Sequence, residues 1–402
     1  QCHSKDLSIA INLKPTPLAN DYIYEKDLKI IKKKYPLDVY FCNACKHLQL
    51  LDVVNPKKLF ENYVYVSGTS SAFVKHFEKY AEYLNHNFNS EGLVIDIGSN
   101  DGTILKAFKR FGYQVLGVEP AKAIAEEAIN NGIETIIDFF NPALASEIKK
   151  KYGEVNIITA NNVFAHIDNP SDFLAGVRKI ISSDNGVFCF EVSYLKDVIE
   201  NTFFDTIYHE HLDYHHAAPL VTHLTKLGFD VIELKSVKSQ GGSIRILLKK
   251  TGKGKIYKKA YSFLLSEKKS CLFNDSFLKN WSNMIELNNK KFCSLIKTKI
   301  REGVPIIGYG APTKATLLLH LAFLGPKEIN FIVEDNSLKV DKFLPNGIPI
   351  KSFGELLEIK ERVLIVVLAW NFSEDIIRKL KQNNIKGEVL IPLPNLELKK
   401  IC

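Results

Sequence analysis

The sequence predicts an α/β protein in which two parallel sheets, covered by helices, follow a small loop-rich region. Three observations predict it. Strand-length apolar runs alternate with helical periodicity from residue 71 to about residue 250. A second, shorter alternation begins at Val304. Residues 1–70 show neither pattern but hold the close pair Cys42 and Cys45. Repeated strand–helix–strand order implies parallel strands, because the crossover between them needs room for a helix, and helices then cover both faces.

The elements follow in order. HFEKYAEYLNHNF (76–88) reads as an amphipathic helix and LVIDIGS (93–99) as a buried strand. The helix GTILKAFKRFG (102–112), strand QVLGVEP (114–120), helix AKAIAEEAINNG (121–132), strand VNIITANN (155–162), a helix from about Ser171 to Ile181 and the strand GVFCFEV (186–192) continue the pattern. Residues from about 255 to 302 are helical and lysine-rich. The second unit then reads as strand VPIIGYG (304–310), helix PTKATLLLHLAF (312–323), strand INFIVED (329–335), turn LPNGIPI (344–350), strand VLIVVLAW (363–370), helix SEDIIRKLKQNN (373–384) and strand GEVLIPL (387–393). These shifts divide the chain at 1–70, 71–254 and 255–402, the last including a helical linker.

Composition narrows the function. With 402 residues, 46% of them hydrophobic, the chain can bury several cores and is not a disordered tail. Its net charge of +8 comes from dispersed lysines, and the runs Lys32–Lys34 and Lys149–Lys151 read as solvated faces. Such a balance suits an acidic small ligand such as a nucleotide diphosphate and does not point to nucleic acid. No apolar run approaches the ~20 residues of a membrane span, and no signal-peptide pattern is present. Seven scattered cysteines do not make a disulfide framework, so a cytoplasmic, monomeric protein is expected.

VIDIGSNDGTIL (94–105) ends a strand near Asp96 and turns through Gly98, Ser99, Asn100 and Gly102 into a helix. The nicotinamide fingerprint G-x-G-x-x-G fails here. An acid followed by a glycine turn suits a different ligand: Asp96 can accept from an ammonium group or hydroxyls, and glycines let the backbone approach a ligand lying flat. The next strand ends in Glu119-Pro120, where a carboxylate can hold both ribose hydroxyls. Asp138 offers an acceptor to an adenine amine and Phe139 a ring face. In this order the strand ends make a site for S-adenosylmethionine (SAM). The alternative is an ordinary α/β turn with incidental acids.

The motifs VIDIGSNDG, GVEP and DFF resemble those of class I SAM-dependent methyltransferases. With YPLDVYFCNACKHLQL, NYVYVSGTSSAF, YHEHLDYH, GYGAPTKAT and LAWNF added, nearly the whole chain resembles the nucleotide-sugar C-methyltransferases of branched deoxysugar biosynthesis. The resemblance implies a small zinc-binding N-terminal domain, a central class I methyltransferase (Rossmann-like) domain and a second, smaller Rossmann-like C-terminal domain. It also implies a nucleotide-sugar substrate, most often a dTDP-linked keto sugar.

Cys42-x-x-Cys45 is half of a tetrahedral zinc site. The resembled family carries two such pairs here, so Cys2, Cys42 and Cys45 are expected ligands of a structural zinc, with the fourth ligand upstream of Gln1. His3 and His47 are the substitutes.

FFDTIYHEHLDYHH (203–216) crowds four histidines. The spacing is not that of a zinc protease helix, H-E-x-x-H. Two metal ligands at His209 and His211, or a set of packed histidines, remain open on the residues alone. Methylating a carbon calls for a base near neutrality, which histidine supplies, and for donors to an enolate. The resemblance maps the pattern Tyr-x-Glu-His onto Tyr208, Glu210 and His211. It implies His211 as general base, with Tyr208 and Glu210 orienting it or holding the enolate. It also implies His166 and Asn161 at the methyl-transfer pocket, although a packed histidine would account for His166 equally. Tyr63 and Tyr65 are expected to cover SAM or touch the sugar, and SQGGSIR (239–245) offers Gly241, Gly242 and Arg245 as a substrate wall.

IIGYGAPTKA (306–315) is a worn dinucleotide loop opening a helix, and a helix N-terminus favours phosphate. Tyr309 and Lys314 are expected to hold the substrate diphosphate; NAD, with Glu334 or Asp335 on its ribose, is the alternative. The function expected is a SAM-dependent C-methyltransferase of a nucleotide-linked 4-keto-6-deoxy sugar, at C3 or C5. An O- or N-methyltransferase, or a zinc-ribbon nucleic-acid module on a vestigial fold, are the other readings.

Overall fold

In the computed structural model, which describes the chain except for residues 31, 62, 64, 65, 70, 89–91, 184, 271–274 and 402, the middle of the chain forms a seven-stranded sheet. Across the sheet the strands are Phe229–Val237, Ser243–Lys250, Val187–Ser193, Ile157–Asn161, Leu93–Ile97, Gln114–Val118 and Thr135–Ile136. Ser243–Lys250 runs antiparallel to both neighbours, and the other pairs are parallel. This is the class I methyltransferase order. The inner strands are buried along nearly their whole length because helices cover both faces, and their few polar residues, such as Asp96 and Asn161, fall toward the carboxyl ends. The connections diverge between Leu93–Ile97 and Ile157–Asn161. A crevice therefore opens at the carboxyl ends of these strands, where open α/β sheets bind ligands.

Local chemistry fixes the helices around it. Asn141 and Asn169 accept backbone N–H groups at the starts of Pro142–Tyr152 and Pro170–Ile180, each with proline in the first turn. Gly102 caps Thr103–Lys109 at φ +75°, and a Cβ there would lie 3.0 Å from Ile133.

The N-terminal region is more ordered than its sequence suggests. Leu7–Ile11, Val39–Cys42 and Leu48–Leu50 form an antiparallel sheet whose fourth strand, Asp213–Tyr214, comes from the histidine-rich segment. Strands this short carry no readable alternation, and the partner lies far away in sequence. The C-terminal unit is a six-stranded sheet in the order Ile350–Lys351, Phe331–Val333, Ile306–Tyr309, Val363–Val367, Gly387–Ile391 and Glu397–Lys400, parallel except for the last strand. One apolar core joins the N-terminal sheet, the segment 195–214, the long helix Asp275–Arg301 and this second sheet. Separate cores flank the methyltransferase sheet. Among the described residues no helix is long and apolar enough to cross a membrane.

Candidate active site

A cavity of about 1030 Å³ runs from the carboxyl ends of the central strands to the N-terminal end of the helix Thr313–Leu321. At one end lie Asp96, Gly98, Ser99, Asn100, Glu119, Pro120, Asp138, Phe139 and Asn161, as the sequence reading places them. Asp96 is buried and accepts from the Thr159 hydroxyl at 2.6 Å. Burial pushes its carboxyl up to about 7, against the pull of that hydrogen bond, and the charge of Glu119 adds to the rise. Glu119 accepts Asn100 N–H and Ala121 N–H, each at 2.9 Å, so part of its bonding capacity shapes the turn. Burial raises its pKa despite both bonds. Among the described residues, neither amide atom of Asn161 has a hydrogen-bond partner, and Ser99 Oγ has none either. Gly102 does not line the cavity; it shapes the turn from behind.

In the middle of the cavity stand Tyr208, His211 and His166, with Tyr63 beside them. His211 Nδ1 lies 2.8 Å from the Thr206 carbonyl. A carbonyl only accepts, so Nδ1 carries the proton and Nε2 holds the lone pair. The Tyr208 hydroxyl donates to that lone pair at 2.8 Å. His166 Nδ1–H donates to the Glu210 carbonyl oxygen at 2.7 Å, and the two imidazoles lie 5.0 Å apart. Burial lowers His166 to about 4 and His211 well below its ordinary value, so both rings are neutral near pH 7. Glu210 sits behind them. Asn20 Nδ2 donates to its Oε1 at 2.7 Å, Oε2 has no partner, and burial pushes the carboxyl up to about 8. Near neutrality it is a carboxylic acid. Sequence reasoning missed Asn20, Thr206 and Thr159; of these, Thr159 alone had a local signal, in the register that pairs it with Asp96.

At the far end stand Tyr309, Gly310, Thr313, Lys314, Lys339 and Lys379. Glu334 accepts Ala311 N–H from the neighbouring glycine turn and Asp335 N–H and Asn336 N–H from its own loop, so much of its accepting capacity shapes these two loops. Asp335 accepts from Lys379 at 2.7 Å and from the Tyr309 hydroxyl at 3.2 Å.

Three expected wall residues are not in this cavity. Arg245 is buried in an ion pair with Glu191, stacked 3.8 Å over the Tyr80 ring, and Glu191 also takes His76 Nε2 at 2.7 Å. The guanidinium is committed to Glu191 and the Tyr80 ring, which helps pin the helix Ser71–Asn87 to the sheet. Gly241 packs on Phe203 and Trp370, and Gly242 on Asp197. From that turn it is the neighbouring Gln240 that reaches the cavity. His209 is peripheral, facing the carbonyls of Tyr35 and Pro36. Tyr65 lies outside the described residues.

Cys2, Cys42 and Cys45 form a separate cluster with all three sulfurs within 4.8 Å of one another, Cys2 and Cys42 at 3.5 Å. Among the described residues the cluster has no fourth ligand. His47 faces Asp213 at 2.5 Å instead.

Three family models match the chain along its length. Residues 1–60 match the model of a zinc binding domain, 73–234 that of a methyltransferase domain, and 238–394 that of the C-methyltransferase C-terminal domain. The chain is 30% identical to the C-methyltransferase NovU of Streptomyces niveus over 401 residues, covering 98% of this chain and 94% of the relative. The chain belongs to this C-methyltransferase family. Among solved structures, the central part of the C-methyltransferase is similar to the magnesium protoporphyrin IX methyltransferase of Synechocystis PCC 6803 with bound SAM, at 13% identity, 44% of this chain, 78% of that one and a TM-score of 0.33. It is also similar to the PH0226 protein of Pyrococcus horikoshii OT3, at 14% identity, 49% of this chain, 96% of that one and a TM-score of 0.37.

Both cofactors of the C-methyltransferase fit the residues present. For SAM, the free amide of Asn161, the carboxylates of Asp96 and Glu119, and exposed Asp138 beside Phe139 converge in one crevice. For zinc, the sulfur spacing is close to the roughly 3.8 Å between thiolates that each sit 2.3 Å from a tetrahedral ion. Zinc there is structural: it ties Cys2 to the turn between Val39–Cys42 and Leu48–Leu50.

Proposed function

We propose that this SAM-dependent C-methyltransferase methylates the carbon beside the ketone of a nucleotide-linked 4-keto-6-deoxy sugar, a dTDP-sugar methylated at C3 being the leading case. The observation that carries the reading is the Tyr208–His211 pair. It stands midway along one cavity, between the crevice that fits SAM and the lysine-bearing wall of the C-terminal unit.

The ketone makes its neighbouring C–H acidic, and the protein must remove that proton. With Nδ1–H held by Thr206, His211 accepts at Nε2 alone, and the Tyr208 hydroxyl covers that atom. Tyr208 oxygen therefore faces the substrate. As it takes the hydrogen from carbon, its own proton passes to Nε2, and the phenol ends the step neutral. Burial holds Tyr208 pKa well above its ordinary value, which favours such a concerted relay over a free phenolate. The imidazolium formed is disfavoured by burial on its own, and the enolate created beside it offsets that cost. SAM supplies a methyl on sulfonium, an electrophile that the enolate carbon can attack without further activation. Glu210 lies behind this pair and not in the cavity wall; as a neutral acid held by Asn20 it adds no negative charge to oppose the enolate. His166, Tyr63 and Asn161 complete the walls. Tyr309 and the charged wall about it face the nucleotide diphosphate, and the same end of the C-terminal unit sets the sugar's distance from the methyl donor.

Mass spectrometry of the protein incubated with SAM and a panel of nucleotide keto sugars tests this. The expected result is one methyl gained on a carbon of the sugar fragment. Methyl on oxygen or nitrogen, or no transfer to any keto sugar, overturns it.

A further inference from the structure

We propose that Lys314 binds the ketone oxygen of the substrate and carries the negative charge of the enolate, a role distinct from the diphosphate contact its place in the sequence suggests. The proposal rests on the keto-sugar reading above.

Lys314 Nζ is closed off from solvent and has no hydrogen-bond partner among the described residues. Its neighbours at this end of the cavity are matched: Lys379 donates to Asp335 at 2.7 Å and Lys339 to the Ala311 carbonyl at 3.0 Å. Lys314 instead stands 4.8 Å over the Trp370 ring. The acid nearest in influence is Asp205. Its Oδ2 accepts the Trp370 indole N–H at 2.6 Å, and among the described residues its Oδ1 has no hydrogen-bond partner and it makes no ion pair with Lys314. A buried ammonium without a hydrogen bond is costly. The protein tolerates it where a ligand oxygen completes it.

Position decides which oxygen. The helix Thr313–Leu321, which carries Lys314 in its first turn, packs on the turn Phe204–Thr206, whose last carbonyl orients His211. Lys314, Thr206, Tyr208 and His211 all line the same cavity, with Lys314 on the helix that packs against the base's own turn. Burial first, then the charges of His166 and Lys314, hold His211 below its ordinary value. In a 4-keto sugar the ketone is bonded directly to the carbon that loses its proton, whereas the diphosphate leaves from C1, farther round the ring. An ammonium beside the base therefore meets the ketone first. The C–H bond breaks, its proton goes through Tyr208 to His211, and its electron pair moves onto the ketone oxygen, where Lys314 donates to the new oxyanion. As the enolate carbon takes the methyl, the S–CH3 bond of the sulfonium breaks and its electron pair stays on sulfur as a neutral thioether; the C=O bond returns, the ammonium is left as it began, and the proton on His211 is released to solvent before the next turnover. A cation placed where charge develops lowers the barrier more in a buried site than in water.

The test compares wild type with Lys314→Gln, Lys314→Met and Lys314→Arg. Three quantities are read: affinity for dTDP alone, methyl transfer to a dTDP-4-keto-6-deoxy sugar, and uptake of deuterium from D2O beside the ketone without SAM. Lys314→Gln and Lys314→Met are expected to bind dTDP within about twofold of wild type, to unfold at no lower temperature, and to lose deuterium uptake and turnover by about 10²–10³-fold. Lys314→Arg, which keeps the charge, should recover part of both. Loss of dTDP affinity by tenfold or more with turnover of bound substrate retained would return Lys314 to the diphosphate. Unchanged exchange in Lys314→Met would make it structural. Wild type that exchanges no proton beside any ketone, yet methylates another substrate, refutes the keto-sugar reading and this role with it.

Discussion

The Tyr208 hydroxyl donates to His211 Nε2 across 2.8 Å, while the opposite ring nitrogen is held by the Thr206 carbonyl. The two side chains therefore form one proton-handling unit. His211→Asn should lower turnover by about 10³-fold and Tyr208→Phe by about 10²-fold, the range of general acid–base contributions. The double variant should be little worse than His211→Asn, because groups acting as a unit are not additive. SAM affinity should stay within about twofold. Steady-state kinetics with titration calorimetry checks this; additive losses would separate the two residues into independent roles.

The acids of the SAM crevice are not equivalent. Asp96 has one protein partner, the Thr159 hydroxyl, and Glu119 holds two backbone N–H groups. Glu119→Ala removes a ligand acceptor and also orphans the N–H groups of Asn100 and Ala121. It should weaken SAM binding by about tenfold or more and lower the unfolding temperature, since each buried unpaired donor costs roughly 1–3 kcal/mol. Glu119→Gln keeps an acceptor and should restore most of the stability but less of the affinity. Equal unfolding temperatures for Ala and Gln variants would show that the turn does not depend on this side chain.

These examples show what was legible in the sequence. The residues of the proposed SAM crevice were named from successive strand ends, Asp96 before its glycine turn, Glu119 before Pro120 and Asp138 before Phe139, and the fold brings all of them to one cavity. Glu210 and His211 were named from a local pattern, but their protonation states depend on Asn20 and Thr206, and on burial that no local pattern records. Arg245 misled because a cation beside two glycines reads as a substrate wall, whereas Glu191, 54 residues away, claims it. The free ammonium of Lys314 emerges only when Asp205 and Trp370 are brought beside it from two other parts of the chain.

The zinc region reaches the catalytic segment through backbone pairing: Leu48 pairs with Tyr214 and Gln49 with Asp213, and Leu50 N–H donates to the Leu212 carbonyl at 2.8 Å. Removing zinc should therefore loosen residues 208–214. Cys42→Ser, or chelation of the holoenzyme, is expected to lower the unfolding temperature and to cut turnover by at least about tenfold, while SAM affinity changes little. Hydrogen exchange should report faster exchange at Leu50 and across 211–214, with the strand Leu93–Ile97 unaffected. Loss of SAM binding in parallel would mean that the metal supports the whole fold instead of this segment.

Glu210 makes stability depend on pH in a direction that can be worked out. Its folded pKa is raised from an ordinary value of 4.5 to about 8 by burial. Between those values the folded state keeps a proton that the unfolded chain has released, so folding is penalised increasingly as pH rises, with a slope of up to about 1.4 kcal/mol per pH unit. Below 4.5 both states are protonated and the penalty vanishes. Glu210→Gln removes the titration while keeping the shape and the bond from Asn20. Its unfolding temperature should match that of wild type near pH 5 and exceed it increasingly up to pH 8, beyond which the gap levels off. Asp96, raised to about 7 by burial, adds a parallel decline in both proteins, so the readout is the difference between them. A gap that stays constant from pH 5 to 8 would mean that Glu210 is ionised in the folded protein, and its place as a neutral acid behind the Tyr208–His211 pair would fall with that result.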